Sequence, residues 1–236
     1  MQYIPPNNLR GHDIEPLLAA RGLTLDWFNT HDLDPHSTSN VARFIYSEVA
    51  GLVPFHYRTA VPSLPQLRTW IDGLVATAQE AQAERGAPIA AVNTGPSLLL
   101  LGSVGVGKTH EAYGAMREMA ITGVSARWAA TTAADMYAAL RPRHGIDSED
   151  EFRKYRDARL LLVDDLGAER KPTEFTEEVN FRLINHRYQH HLPTLFTSNI
   201  DADQLRERLG DRVTSRLREM CQRVAMKGTD RRRRAA

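Results

Sequence analysis

The sequence predicts an α/β fold: an open, doubly wound parallel sheet, preceded by a small, mostly helical N-terminal region. Two observations carry this. The apolar runs at 98–101 (Leu-Leu-Leu-Leu), 160–163 (Leu-Leu-Leu-Val) and 194–197 (Thr-Leu-Phe-Thr) lack polar alternation, the mark of strands covered on both faces. Helical patterns lie between these runs, so strand and helix alternate along the chain.

Taken in order, residues 1–60 are rich in Pro, Asn, His and Asp, with helical patterns at 14–20 and 41–50. Residues 53–62 (Val-Pro-Phe-His-Tyr-Arg-Thr-Ala-Val-Pro) read as an irregular connector, because each Pro disfavours helix just before it. A helix fits 64–85, where Leu67, Trp70, Ile71, Leu74, Val75 and Ala78 recur at three- and four-residue spacing. Gly86-Ala-Pro ends it. The strand at 98–101 follows, then a helix at 110–121 and a weaker strand at 125–130. Helices at 133–140 and 149–158, the strand at 160–163, a helix at 176–189 and the strand at 194–197 complete the alternation. No internal repeat is present.

Composition is that of a soluble globular protein, with 42% hydrophobic and 25% charged residues among 236. Basic and acidic residues nearly cancel, so no global field points to nucleic acid. The single cysteine, Cys221, excludes an internal disulfide and a Cys-based zinc site, and suits a packing role in a reducing cytoplasm. No apolar run approaches the 18 or so residues of a membrane span, and residues 1–6 do not open a secretory signal. The adjacent His190 and His191 read as a solvated face rather than a metal site.

The first chemistry-bearing motif is Gly102-Ser103-Val104-Gly105-Val106-Gly107-Lys108-Thr109, followed by His110. It sits between a predicted strand and a predicted helix, the context in which this pattern is a Walker A phosphate loop. Glycines let the backbone wrap an anion, and loop and helix N–H groups supply positive charge. Lys108 is expected to bridge the β- and γ-phosphates of ATP, and Thr109 to place its hydroxyl on Mg2+.

The second motif runs from the apolar stretch 160–163 into Asp164 and Asp165 at a strand's C-terminal end, the edge where open α/β sheets bind ligands. Asp164 is expected to hold Mg2+, directly or through water, and Asp165 to orient and deprotonate the attacking water. Asp-Asp-Leu-Gly is also good turn chemistry. The third motif, Leu195-Phe196-Thr197-Ser198-Asn199, closes another buried strand with a polar group. Asn199 there suits either a contact to the γ-phosphate or lytic water, or a helix N-cap. The fourth is 210–219, where Arg212 and Arg216 lie four apart on one helix face. An arginine finger reaching a neighbouring subunit and surface pairing with Glu207 and Glu219 both fit it. The basic tail, Lys227 to Ala236, is expected to be flexible.

Together these blocks resemble the AAA+ ATPases of the DnaC-type replicative helicase loaders and the related IstB-type transposition ATPases. The matching stretches are GSVGVGKTH, LLLVDDLGAE, PTLFTSN, LGDRVTSRLREM and the Gly-Thr-Asp-Arg-Arg ending. The Pro-x-x-Tyr-Arg core of 53–60 resembles the group's lead-in to its ATPase domain. The likeness spans about 53–232; residues 1–50 match nothing we can name. It implies a partner-binding region at 1–60, an AAA+ ATPase domain at 61–232 and a tail end at 233–236. It implies ATP and Mg2+ as cofactors, Asn199 at the sensor 1 position, Arg212 as arginine finger with Arg216 beside it, and Arg231 or Arg232 as sensor 2. The segment between 130 and 160 would be the steric wedge near single-stranded DNA, with Arg141, Arg143, Arg153, Lys154 and Arg156 supplying charge. The implied partners are a hexameric replicative helicase, single-stranded DNA and further copies of the chain.

Two departures stand out. Position 165 is Asp where most AAA+ enzymes carry Glu, and the N-terminal region lacks the cysteines of a zinc-bearing loader. The stretch after Asn199 is also too short for a lid bundle of three or four helices of about 11–12 residues each, so a truncated lid is expected. A transposition helper would carry a DNA-binding helix-turn-helix near the N-terminus; 17–28 contains a Gly22 turn but no basic recognition helix after it. A small-molecule P-loop kinase would need an acceptor pocket and no trans-acting Arg. A nucleotide-locked scaffold would bind ATP without turnover.

Overall fold

The computed structural model describes residues 11–143, 145, 147–168, 172–228 and 230. Two compact units emerge, one formed by 1–93 with 110–128 and the other by 94–109 with 129–236.

The first unit is helical. It holds α1 (Glu15–Ala20), α2 (Leu25–Asn29), α3 (Thr38–Ala50), a 3-10 turn at Phe55–Tyr57, α4 (Pro65–Arg85), and α5 (Lys108–Ala120) from His110 onward. Helix α4 stops where the sequence says it should: Gly86 adopts φ 63, a left-handed cap that costs a glycine little, and returns its N–H to the Gln82 carbonyl. Its start is anchored by Glu111 of α5, which accepts from the N–H groups of Ser63 and Leu64.

Buried charge ties the N-terminal residues to α5. The fully buried Arg117 donates to the carbonyls of Ala60 and Asp13 and to the Tyr46 hydroxyl. Glu118, equally buried, accepts from Arg21 at 2.6 Å and Arg68 at 3.3 Å. Around these groups pack Leu17, Phe28, Ile45, Leu67, Ile71 and Met116, all buried.

The second unit holds the sheet. Strands β1 (Ser97–Leu101), β2 (Trp128–Thr132), β3 (Leu160–Asp164), β4 (Thr194–Ser198) and β5 (Cys221–Ala225) lie in the order β2-β3-β4-β1-β5, and the pairs β1–β4, β1–β5 and β3–β4 are parallel. Helices α6 (Ala133–Leu140), α7 (Ser148–Arg156), α8 (Glu174–Gln189) and α9 (Ala202–Met220) complete it. The expected unbroken apolar strands are there: β3 and β4 are buried along their whole length. Their core includes Leu99, Met136, Phe152, Leu161, Val163, Leu183, Phe196, Leu205 and Leu217.

Three expectations need correction. The weak strand lies at Trp128–Thr132 rather than 125–130, because Ser125 is spent on an isolated bridge to Ala91 and the Ala-Ala-Thr-Thr stretch carries the ladder. Helix α8 starts two residues early, at Glu174, because Thr173 and Thr176 form a reciprocal capping box. Strand β5 was not expected at all.

After Asn199 the described residues hold α9, which Gly210, non-helical at φ 77 and ψ 164, divides into two helical stretches, and then β5. Buried Arg187 locks α8 to its surroundings by donating to the carbonyls of Tyr155, Arg156, Ala158 and Pro193 and to the Thr194 hydroxyl. Cys221 is buried in the core, and burial pushes its thiol pKa up. Among the described residues no helix is long and apolar enough to cross a membrane, and no cluster of His, Cys, Asp or Glu has metal-ligand spacing.

Candidate functional site: a phosphate loop facing two carboxylates

The site grows from three strand ends. Strand β1 ends at Leu101 and the loop 102–107 carries the chain into α5 at Lys108. Gly105 and Gly107 take φ 83 and 102, values an L side chain rarely adopts. At Gly105 the space is closed as well, since an added Cβ would lie 2.0 Å from Asp230 Oδ1. Alongside the loop, the chain leaving β5 donates from the Met226 N–H to the Leu101 carbonyl at 2.7 Å.

Lys108 is buried, and its ammonium donates to the Gly102 and Ser103 carbonyls at 2.8 and 2.9 Å and to Asn199 Oδ1 at 2.5 Å. Thr109 donates its hydroxyl to Asp164, 3.1–3.2 Å from the two carboxylate oxygens. Asp164 closes β3 as a buried residue; burial first, and then the neighbouring Asp165 charge, raise its pKa, against the hydrogen bond from Thr197.

Asp165 follows at φ 57 in a turn whose Ala168 N–H returns to the Asp165 carbonyl. The turn reading and the site reading therefore hold together. Asn199 resolves the other way. The capping role belongs to Asp201, whose carboxylate accepts from the Gln204 N–H at 2.9 Å, and this frees Asn199 to point inward. Its amide donates to Asp165 Oδ1 at 2.5 Å and its oxygen accepts from Lys108.

The structure thus brings Lys108, Thr109, Asp164, Asp165 and Asn199 into one hydrogen-bonded circuit. Sequence reasoning missed one member, Thr197, which touches both aspartates. Among the remaining loop positions Val106 is buried and Val104 is exposed.

Arg212 and Arg216 separate in environment. Arg216 lies over the Tyr188 ring at 4.5 Å and reaches Glu219 at 3.7 Å, whereas Arg212 is exposed on α9 with no ion pair among the described residues. On α7, Arg153, Lys154 and Arg156 pair with Asp150, Glu151 and Asp157. Their charge is compensated locally, whereas Arg141, Arg143 and Arg159 are exposed and form no ion pair among the described residues. Arg231 and Arg232 lie outside the described residues.

The donor set suits a nucleotide with a hard divalent cation: backbone N–H groups and an ammonium for phosphate, and one hydroxyl with one carboxylate for a metal that also takes phosphate oxygens and water.

The chain resembles known proteins both in sequence and in fold. A curated relative, the replicative helicase loader DnaI of Bacillus subtilis strain 168, is 28% identical over 114 residues, which is 48% of this chain and 36% of the relative. The match therefore spans about a third of that protein's length. A crystal structure of a DnaC helicase loader superposes with TM-score 0.55 at 22% identity, covering 70% of this chain and 93% of that one. A DnaI crystal structure does so with TM-score 0.51 at 25% identity, covering 73% and 97%. The fold is that of the AAA+ P-loop ATPases, and ATP is its nucleotide. The model of the IstB-like ATP binding proteins matches residues 73–236, well over half of the chain, and this chain belongs to that family.

Proposed function

We propose that this protein is an ATP-dependent loader that grips a hexameric replicative DNA helicase, through residues 1–60, and single-stranded DNA during initiation of replication. The observation that carries the reading is the circuit in which Asn199 joins Lys108 to Asp165, on a chain similar to the loader DnaI. In that circuit Lys108 leaves the loop carbonyls for the β- and γ-phosphates. Thr109 and Asp164 would hold Mg2+, which supplies charge neutralisation at the phosphates. Asp165 accepts a proton from the attacking water, and Asn199 holds the carboxylate in place and senses the γ-phosphate. Turnover is slow, and ATP acts mainly as a switch for assembly.

The family model itself favours a second reading, an IstB-like transposition helper acting on duplex DNA. The helix after the Gly22 turn supports the loader instead: α2 is five residues long, carries Asp26 and has no basic residue. Single-stranded DNA binding is expected to be independent of sequence and stronger with ATP, its logarithm falling with log salt. The deciding experiment is capture of the host's hexameric replicative helicase by the full chain, with and without ATP. The loader reading expects ATP-dependent capture. No capture, together with a preference for one duplex sequence, overturns it in favour of the helper.

A further inference from the structure

Thr197 lies in β4, on the strand beside β3, and is fully buried. A fully buried strand position among Leu195, Phe196, Leu162 and Val163 is one where valine would serve better, since a hydroxyl costs free energy to bury unless it is bonded. Here both sides of the hydroxyl are used. Its proton goes to Asp164 Oδ1 at 2.5 Å, and its oxygen accepts from the Asp165 N–H at 3.0 Å. One hydroxyl has a single proton to give, so this pair of contacts fixes its direction and makes Asp164 the acceptor. The β-branched side chain is stiff at χ1, which holds the oxygen in place. Thr197 therefore sits between two adjacent residues and restrains each at a different point: the carboxylate of one and the backbone of the other, at the residue with φ 57.

We propose that Thr197 is a positioning residue of the ATPase site, setting the Asp164 carboxylate for the metal and the Asp165 backbone for the water in one step. The proposal rests on the roles given above to Asp164 and Asp165. Thr197 belongs to neither the phosphate loop nor the two carboxylates, and it acts through them.

The test uses the full chain with Thr197→Val, which keeps the shape and removes the hydroxyl, and the pair Thr197→Ser and Thr197→Ala, which both lose the methyl and differ only in the hydroxyl. Asp164→Asn and Asp165→Asn serve as references. Affinity for a fluorescent ATP analogue is titrated with and without Mg2+, and steady-state hydrolysis is followed in parallel. Thr197→Val and Thr197→Ala should keep the Mg2+-free affinity, since Lys108 and the loop are untouched. They should need about 10- to 100-fold more Mg2+ to reach the metal-dependent affinity, with a matching fall in kcat. Thr197→Ser should stay close to wild type. If Thr197→Val does not fold, the Ser and Ala pair carries the same comparison. A wild-type Mg2+ requirement in the hydroxyl-free variants, or equal impairment of Ser and Ala, overturns the proposal and leaves Thr197 a packing residue. If Asp164→Asn and Asp165→Asn themselves leave Mg2+ response and turnover unchanged, the assignment of the site falls, and Thr197's role with it.

Discussion

Asp165 occupies φ 57, a left-handed conformation that Asp and Asn tolerate better than longer side chains. This gives a backbone reason for Asp where most AAA+ enzymes carry Glu. It also makes Asn a fair probe, because Asn adopts the same backbone. Asp165→Asn should keep the fold and the nucleotide affinity while lowering turnover about 10²–10⁴-fold, the usual worth of a positioned general base. Calorimetry with a non-hydrolysable ATP analogue and a phosphate-release assay check both halves, and unchanged release would move the base elsewhere. At this scale the phosphate loop, Lys108, Thr109 and the two aspartates were legible, because each lies in a contiguous block with its own chemistry. Asn199 was ambiguous, because a strand-ending Asn caps helices equally well; only the Asp201–Gln204 contact settles it. Thr197 was invisible, since its partners belong to the neighbouring strand and spacing within one segment cannot show them.

Elements were legible in proportion to burial on both faces. Strands β1, β3 and β4 announce themselves as unbroken apolar runs, while β5 does not: two of its middle residues, Gln222 and Arg223, are exposed, and it follows α9 with no turn residue between. The N-terminal helices showed in the pattern, but the charges that anchor them to α5 did not. His12 is the pH-sensitive point of that packing. It lies edge-on to Tyr46, its Nδ1 is buried without a hydrogen-bond partner, and burial with the nearby Arg117 and Arg58 charges lowers its pKa to about 4. The folded state thus holds the neutral ring, whereas the unfolded chain takes up a proton near 6.5. Its stabilising contribution is complete above about 6.5 and is lost as the pH falls towards 4. Urea midpoints measured from pH 7 to 4 should fall less steeply for His12→Gln than for wild type. Parallel curves would show that His12 is not the titrating group.

For the whole molecule the question is where the ATPase site ends. Every member of the circuit from Lys108 to Asn199 lies within one unit of one chain, yet the circuit holds no arginine. Three arginines of 210–219 are described, and Arg218 is exposed like Arg212. Arg216 is committed to Tyr188 and Glu219, and Arg212 stays exposed and unpaired among the described residues. An exposed guanidinium on the helix after Asn199 is what a trans-acting finger requires, and the competing surface-pairing role is the one Arg216 fills. If Arg212 completes a neighbour's site, turnover per subunit should rise with protein concentration, or when DNA or helicase gathers subunits together. Arg212→Ala should bind nucleotide normally, because the phosphate loop is within one chain. It should lose the stimulated part of turnover, up to about 10³–10⁵-fold if the finger matches those of other ATPases and GTPases. Mixing gives the sharper measurement. Arg212→Ala brings an intact loop and Lys108→Ala brings an intact finger, so mixed assemblies contain some complete interfaces and should regain activity that neither variant has alone. Absence of recovery, with wild-type turnover independent of concentration, would return Arg212 to an ordinary surface role and make each subunit self-sufficient.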